Sequence, residues 1–510
     1  MRSSSNKVII GIVLVVLAYL ALLVVGLIPS AHPEGAAEPV KIELRDGASA
    51  AAPPTEKFVP AAWAVLPFVA LLLVIAVFPL IPATQHWWEH NRNRFLIALL
   101  LAVVALSYYV VFHPGGLANH FTHHESSRAG IETATTVFSN AVFTEYIPFI
   151  ILLFCLYTIS GGINLRGDLP AHPATNCAFL AIGTALASFI GTTGAAMLLI
   201  RPLIATISER KYKAHTVIFF IFMVCNCGGL LLPIGDPPLF LGYLMGVPFT
   251  WTLSLWPYWA GTNLVLLGIY FAWDQVLYSR EPLRAIVRDE VEVLPLRLSG
   301  KFNIVLIAGI VACVAFVVPG KVFPGTHFVT PNYLREALML CIVAISLRTT
   351  PSQVRIWNGF NYSAIVEVAA LFFGIFICMQ APIEILNLEG SRLGIDTPFA
   401  FFWATGALSS FLDNAPTYVV FFETAVGLPV DHVFSYLHLS PVRNIMEQHL
   451  AAISLGAVLM GANTYIGNGP NFMVKSIAEQ SGIKMPSFFG YMAYSVGILI
   501  PVFAAISFLL

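Results

Sequence analysis

Long apolar stretches separated by short polar segments run along the whole chain. Most are near or above 20 residues, the length that an α-helix needs to cross a bilayer. We assign them to residues 8–29, 60–82, 95–113, 143–163, 176–200, 216–245, 254–278, 302–320, 333–349, 363–384, 397–427, 446–474 and 487–510. The pattern predicts an all-α polytopic membrane protein. The first stretch is longer than the apolar core of a secretory signal, so we predict a transmembrane helix there.

Composition agrees with this class. Hydrophobic residues make up 58% of the 510 residues and charged residues only 10%, whereas soluble domains carry about 25% charge. The mean hydropathy is +0.81. No basic tract indicates a nucleic-acid partner, and the predicted surroundings are the lipid bilayer. Seven cysteines, nearly all in apolar segments and none in a CxxC pair, indicate neither disulfides nor a metal site.

The distribution of Lys and Arg orients the chain, because cytoplasmic loops are enriched in both. We place the following residues in the cytoplasm: Arg2, Lys7, Arg92, Arg94, Arg201, Arg210, Lys211, Lys213, Arg280, Arg284, Arg288, Arg297, Lys301, Arg348, Arg355, Lys475 and Lys484. Segments 31–58 and 114–142 are then external. The second contains His120, His123 and His124, which either bind a metal or belong to a solvated loop.

This orientation requires an unusual segment at 176–200. Segment 143–163 runs inward and leaves Arg166 inside, while Arg201 directly after 176–200 is also inside. Segment 176–200 must therefore enter and leave on the same face. We predict a re-entrant helical hairpin that is broken at Gly191–Gly194.

Three pairs of stretches recur in the same order and predict a duplication. "ALASFIGTTGAA" from Ala185 matches "ALSSFLDNAPTY" from Ala407, and Glu145 and Glu367 lie in a second matched pair. "PIGDPPLF" from Pro233 matches "YIGNGPNF" from Tyr465. By the charge distribution the two copies have opposite orientations. Inverted repeats with interrupted helices are typical of secondary transporters.

Helix breakers inside these apolar segments predict a polar site at the middle of the membrane. Pro and Gly end helices, and the freed backbone groups are tolerated at that depth only inside protein or beside a polar cavity. Two hairpin tips and two unwound helices would converge on one site. The candidate ion- or substrate-binding residues at these breaks are Ser188, Thr192, Thr193, Asn226, Gly235, Asp236, Ser410, Asp413, Asn414, Thr417, Asn463, Thr464, Gly467, Asn468 and Asn471.

Asp413 and Asp236 are the acids among them, and Asp413 is the leading functional candidate. An acid in a membrane segment is a functional candidate by default. Because burial disfavours its charged form and a cation favours it, one carboxylate could bind either a proton or a transported sodium ion. Each acid could instead cap the helix that follows it. The asparagines are either cavity ligands or partners of freed backbone groups, and Glu145 and Glu367 are either gating groups or interfacial residues.

Three stretches carry a family resemblance. "NCGGLLLPIGDPPLF", "SSFLDNAPTYVVFF" and "GANTYIGNGPNF" resemble signatures of the ion-transporter superfamily, which holds arsenite pumps, NhaD-type sodium/proton antiporters and citrate carriers. The resemblance covers roughly 143–510 and is closest to bacterial citrate transporters or sodium:proton antiporters. It implies a bacterial inner-membrane protein, often a homodimer, with a scaffold and a mobile transport domain that moves in an elevator-type step. The tips "GTTG" and "LDNAP" lack the paired Ser-Asn-Thr motifs of dicarboxylate carriers.

These observations predict four regions and a function. The regions are 1–142 with the N-terminal helices and external loops, 143–278 and 302–510 as the two inverted repeats, and 279–301 as a cytoplasmic linker. The first hypothesis is a sodium/proton antiporter in which Asp413 and Asp236 bind the competing cations. The alternative is a cation-coupled carrier of citrate or another carboxylate, and a channel or scaffold is the third. No nucleotide-binding loop, cofactor motif or catalytic nucleophile–base pair indicates an enzyme.

Overall fold

The computed structural model describes residues 2–25, 28, 58–79, 81–122, 128–291, 293–323, 325–429, 435–440 and 443–510. The predicted external loop at 31–58 lies almost entirely outside these residues, as do His123 and His124. Within the described residues the chain is helical, with two small antiparallel sheets. The predicted all-α multi-pass class is confirmed.

The N-terminal helices come first in the chain. They are α1 (Arg2–Val24), α2 (Leu66–Val77), α3 (Pro82–Trp88), α4 (Asn91–Val111), α5 (Ile131–Ser139) and α6 (Ile147–Ser160). A π-helical turn at Asn140–Tyr146 connects α5 to α6, so that Ile131–Ser160 forms one apolar span of 30 residues.

The next part contains the first interrupted helices. Its elements are β1 (Asn164–Asp168), α7 (Pro173–Ile190), α8 (Thr192–Thr206), α9 (Ala214–Met223), α10 (Pro237–Leu244), α11 (Trp256–Tyr278), α12 (Leu283–Val291) and β2 (Leu294–Ser299). Strands β1 and β2 pair antiparallel. The predicted linker 279–301 therefore contains a helix and a strand, and it is fixed to the segment that precedes α7.

The last part also contains a helical pair followed by an interrupted helix. Its elements are α13 (Phe302–Phe316), α14 (Leu334–Thr349), α15 (Ser352–Trp357), α16 (Ser363–Cys378), α17 (Gln380–Glu389), α18 (Pro398–Ser409), α19 (Asn414–Val426), β3 (Tyr436–Ser440), β4 (Arg443–Met446), α20 (Glu447–Met460), α21 (Gly469–Gln480), α22 (Phe488–Tyr494) and α23 (Ile500–Ser507). In both parts a helical pair precedes a helix that is interrupted and then resumes. The first hairpin is α7 and α8 and the first interrupted helix is α9 and α10; the second hairpin is α18 and α19 and the second interrupted helix is α20 and α21.

Each helical pair is a hairpin. Gly191 joins α7 to α8 with a φ of 78°, a conformation that glycine adopts at no steric cost. The chain then returns to its starting point, since the Leu169 N–H, before α7, donates to Oγ1 of Thr206, at the end of α8, at 3.5 Å. In the second pair Gly390, before α18, packs against Thr424 near the end of α19.

Several helices are long and apolar enough to cross a membrane. By length and composition, five in the described chain qualify: Ser5–Val24, Asn91–Val111, Ile131–Ser160, Pro173–Ile190 and Phe488–Ser507. Counting each bent helix pair as one span raises the number to seven. Other apolar helices, such as Thr192–Thr206, are too short to span alone, as expected where a helix is interrupted.

A buried ionic cluster fixes the base of the first hairpin. The Arg210 guanidinium donates to Asp274 at 2.7 Å, to Glu281 at 3.2 Å and to the carbonyl of Ala171 at 2.7 Å. His215 also contacts Asp274, at 2.9 Å. The cluster joins the segments that flank α7 and α8 to the end of α11.

Replacing Arg210 by methionine is expected to destabilise the protein by about 3–5 kcal/mol, because Asp274 and Glu281 would stay buried without their cation. Thermal unfolding of the purified protein in detergent measures this. The matched control is Arg280→Met, which changes an exposed arginine close by. Equal melting temperatures for the two variants would contradict the structural role of Arg210.

Candidate functional site

Asp236 lies at the centre of a buried polar cluster. Its side chain is 1% exposed. Oδ1 accepts hydrogen bonds from the Thr192 hydroxyl at 3.0 Å and the Asn468 amide at 3.2 Å, and Oδ2 accepts one from the Asn414 amide at 2.5 Å. These partners come from the first hairpin tip, the second interrupted helix and the second hairpin tip. All four predicted breaks therefore meet at one carboxylate.

The local sequence explains why helices begin at this point. Prolines follow Asp236 in the first turn of α10, and Pro470 lies in the first turn of α21. Proline is tolerated there because the first helical N–H groups have no partner within the helix. Helices α8 and α19 begin directly after the hairpin tips. Four helix N-termini thus converge, each with partial positive charge.

The first hairpin tip is bonded to the first interrupted helix. The Thr192 N–H donates to the Gly235 carbonyl at 2.9 Å. The Ser188 hydroxyl donates to the Gly228 carbonyl at 2.5 Å and accepts from the Leu231 N–H at 3.2 Å. These bonds satisfy backbone groups that the interruption at 231–236 sets free, so Ser188 has a structural role here.

The second hairpin tip contacts the second interrupted helix in a comparable way. The Thr464 hydroxyl donates to the Ser410 carbonyl at 2.5 Å and accepts from the Gly467 N–H at 3.1 Å. The Ser410 hydroxyl accepts from the Asn463 amide at 2.9 Å, and its single proton is directed at the Gly406 carbonyl at 2.7 Å, with the Met460 carbonyl further away at 3.2 Å. Ser188 and Ser410, matched in sequence, both hold a hairpin tip to its interrupted helix.

Asparagines join the two interrupted helices to each other. The Asn226 amide donates to Oδ1 of Asn471 at 2.8 Å. The Asn468 amide donates to the Cys225 carbonyl at 3.1 Å and to Oδ1 of Asn226 at 3.2 Å. The Asn471 amide donates to the carbonyls of Gly461 and Thr464 at 2.9 and 3.0 Å. Asn471 therefore serves freed backbone groups, whereas Asn468 also reaches the carboxylate of Asp236.

Two buried amide oxygens beside this cluster have no protein partner. Within the described residues Oδ1 of Asn414 and Oδ1 of Asn463 accept no hydrogen bond. Each belongs to a side chain whose amide nitrogen is already engaged, at Asp236 and at Ser410 respectively. A buried acceptor without a partner is costly. Such oxygens suit a hard cation.

Asp413 occupies a more peripheral position than Asp236. Its Oδ1 accepts the Ala415 N–H at 3.1 Å, so Asp413 caps α19. It is half-buried, and its neighbour in the sequence, Asn414, bonds Asp236. The Thr417 hydroxyl bonds the Asp413 carbonyl at 3.1 Å. Thr193 is half-buried on α8, outside the described partners of Asp236.

The two matched glutamates lie outside the cluster. Glu367 forms an ion pair with Arg94 at 2.6 Å. Glu145, in the π-helical turn, accepts from the Gln380 amide at 3.2 Å, and its neighbours include the charge of Glu423, which Arg443 binds. Neither glutamate is in hydrogen-bonding contact with Asp236 among the described side chains. Although the two glutamates occupy matched positions in the sequence, they bind different partners.

Sequence reasoning missed the buried ionic groups. Asp274 is fully buried in α11, and the Arg335–Glu336 ion pair at 2.6 Å is buried in α14. The signal was present, because "FAWDQV" and "YLREAL" place acids inside apolar segments. Such acids are candidates by the same rule that selected Asp236 and Asp413.

The fold and the buried polar site define the class of this protein, which is a multi-pass helical membrane transporter. The chain belongs to the family described as "Putative citrate transport", whose sequence pattern matches residues 57–510. This confirms the resemblance to the ion-transporter superfamily with its citrate carriers. No curated protein matches the chain significantly.

Proposed function

We propose that the protein is a cation-coupled carrier of citrate or a related carboxylate. The observation that carries this proposal is the buried Asp236 carboxylate, which meets Thr192, Asn414 and Asn468 where four helices begin. The description of the family, which names citrate transport, supports the same conclusion. A substrate anion and a coupling cation would then occupy one region between the two halves of the chain.

The helix starts supply the groups that an anion needs. Helix N-termini bind carboxylates and phosphates through their free N–H groups and their partial positive charge. Among the helices of the described chain that begin at the cluster, α8 and α21 have no side chain capping their N-terminus. Helix α10 is also uncapped, but it begins with Pro237 and Pro238, which have no N–H, so it contributes only its partial positive charge. Carboxylate oxygens of a substrate would take that position. Only α19 is capped, by Asp413.

The acid and the amide oxygens supply what a cation needs. A buried carboxylate is costly unless a cation or proton compensates its charge. Asp236 and the unpartnered Oδ1 of Asn414, whose amide nitrogen bonds Asp236, are oxygen donors of the kind that favours sodium or a proton over softer ions. The cation would also screen Asp236 from the negative substrate. Cation and anion would therefore bind in a mutually dependent way.

Sodium/proton antiport is the second candidate. It is favoured by the presence of a second acid, Asp413, directly before Asn414, which bonds Asp236. One such carboxylate can exchange a sodium ion for a proton without any organic substrate. The amides at Asp236 would then only orient the carboxylate.

Transport by purified protein in proteoliposomes separates the two functions. For the carrier, radiolabelled citrate accumulates inside the vesicles when a sodium or proton gradient is imposed, and uptake stops when the gradient is collapsed. For the antiporter, a sodium gradient changes the luminal pH reported by a dye without any citrate. Protein-free vesicles are the control. Citrate uptake that is independent of both gradients would contradict cation coupling.

Several features of the cellular setting stay proposals. The opposite orientation of the two repeats follows from the Lys and Arg distribution. An elevator-type step of the hairpins and interrupted helices, a homodimer and a bacterial inner-membrane location are implied by the family resemblance. The common order of hairpin and interrupted helix in the two parts supports the duplication.

A further inference from the structure

A cavity lies away from the helix breaks. It has a volume of about 500 Å³ and opens between the start of α9, the end of α11 and the 481–487 segment that joins α21 to α22. This volume lies within the range of small-molecule sites. By the Lys and Arg distribution the cavity faces the cytoplasm.

Three lysines line this cavity, namely Lys211, Lys213 and Lys484. Among the described residues none of them takes part in an ion pair. The Lys213 ammonium group donates to the Ser208 carbonyl, and that of Lys211 lies 5.3 Å from the centre of the Tyr212 ring. Like charges around one cavity repel each other, and an anion between them converts this repulsion into attraction.

The acids next to the cavity do not balance these charges. Asp274 is engaged by Arg210 at 2.7 Å and by His215, which forms part of the cavity wall, at 2.9 Å. Glu281 accepts from Arg210 and from the N–H groups of Lys211 and Tyr212. Glu209 accepts from Ser208, and Glu479 pairs with Lys475. Arg210 compensates only one of the two charges of Asp274 and Glu281, and the Ser208 hydroxyl leaves the charge of Glu209 in place. The three lysines therefore leave these surroundings with an excess of about one positive charge.

The remaining wall suits a small ligand that is partly organic. Helix α9 begins at Ala214, which lines the cavity, and within the described chain no side chain caps this start. Its first N–H groups add partial positive charge on the same side as the lysines. The rings of Trp273 and Tyr494, which also line the cavity, stack with their centres 5.8 Å apart.

From this arrangement we propose that the cavity is a binding site for a small, multiply charged oxyanion with carboxylate or phosphate groups. The site is separate from the helix breaks and does not depend on the transport reaction. A soluble anion of the cytoplasm and the phosphate of an anionic lipid share the chemistry that the three lysines recognise. The two sources differ in how the ligand reaches the site.

Lysine acetylation read by mass spectrometry tests the site directly. The full-length protein in phosphatidylcholine vesicles is treated briefly with an acetylating reagent in sodium-free buffer, with citrate or inorganic phosphate and at constant ionic strength. We expect Lys211, Lys213 and Lys484 to react several-fold more slowly with the anion, whereas Lys301 and Lys475 serve as unprotected controls. A second arm replaces the anion by vesicles that contain phosphatidylglycerol.

The outcomes distinguish the sources and can overturn the proposal. Protection by the soluble anions identifies a cytoplasmic ligand, and protection only in phosphatidylglycerol vesicles identifies a lipid phosphate. If neither the soluble anions nor phosphatidylglycerol changes the reactivity of any of the five lysines, the proposal is overturned. Replacing the exposed Lys484 by alanine should raise the anion concentration that half-protects Lys211 by about threefold or more, since one of three attracting charges is lost. Because lysine protection reports binding at this cavity and not uptake, failed citrate transport leaves this test unaffected.

Discussion

Replacing Asp236 by asparagine is expected to lower substrate uptake at least about 100-fold. Both carboxylate oxygens accept hydrogen bonds, Oδ1 from Thr192 and Asn468 and Oδ2 from Asn414. The new amide nitrogen would therefore meet a donor in either orientation. Hydrogen bonds to a charged group contribute about 1.5–3 kcal/mol each, and about 1.4 kcal/mol is a factor of ten. Initial uptake rates per reconstituted protein measure the effect.

A double variant separates packing from charge at this position. Asp236→Asn combined with Asn414→Asp exchanges the two groups and restores a donor–acceptor pair. We expect it to recover thermal stability but not uptake, because the charge has moved. Asp413→Asn is the matched comparison, since asparagine caps a helix as well as aspartate does. Full uptake by Asp236→Asn alone would remove Asp236 from the mechanism.

Adding a methyl group at Gly235 is expected to impair both folding and transport. A Cβ atom there would lie 2.2 Å from the Gly229 carbonyl oxygen, a backbone atom that cannot yield without moving the break. Overpacking of this kind costs about 1–3 kcal/mol. It would also displace the Gly235 carbonyl, which accepts the Thr192 N–H. We expect a lower melting temperature and an uptake reduced about tenfold or more.

Matched glycines make this prediction specific. Gly467→Ala should behave like Gly235→Ala, because its Cβ would lie 2.6 Å from the Gly461 carbonyl oxygen. Gly469→Ala, at the start of α21, is the control, since its Cβ would meet no atom within 4 Å. Melting curves and citrate uptake of the three variants, measured side by side, check the prediction. Equal behaviour of all three would show that close packing at the breaks is unimportant.

The sequence predicted the breaks well because the cause is local. Glycine at 191 and the prolines after Asp236 determine the backbone wherever they occur, and the structure interrupts the helices at these residues. Segment 279–301 was assigned as a plain linker. The alternating pattern of "LPLRLS" is typical of a strand, and β2 forms there.

The ranking of the site residues could not be obtained from local patterns. Asp413 was the first choice in the sequence, yet Asp236 is the acid at the centre of the cluster. The bond that decides this joins Asp236 to Asn414, which lies 178 positions further along the chain. A capping aspartate and a ligand aspartate have the same sequence signature before proline or asparagine. Only the packing of the two halves distinguishes them.

The bond between Asn226 and Asn471 also has a consequence for biosynthesis. The two residues are 245 positions apart. At roughly 5–20 residues per second, a ribosome needs about 12–50 s to make the intervening chain. During that interval the first interrupted helix is already in the lipid, and the polar groups at its break still lack their final partners. The nascent protein therefore depends on the insertion machinery to shield this half until its counterpart has been synthesised.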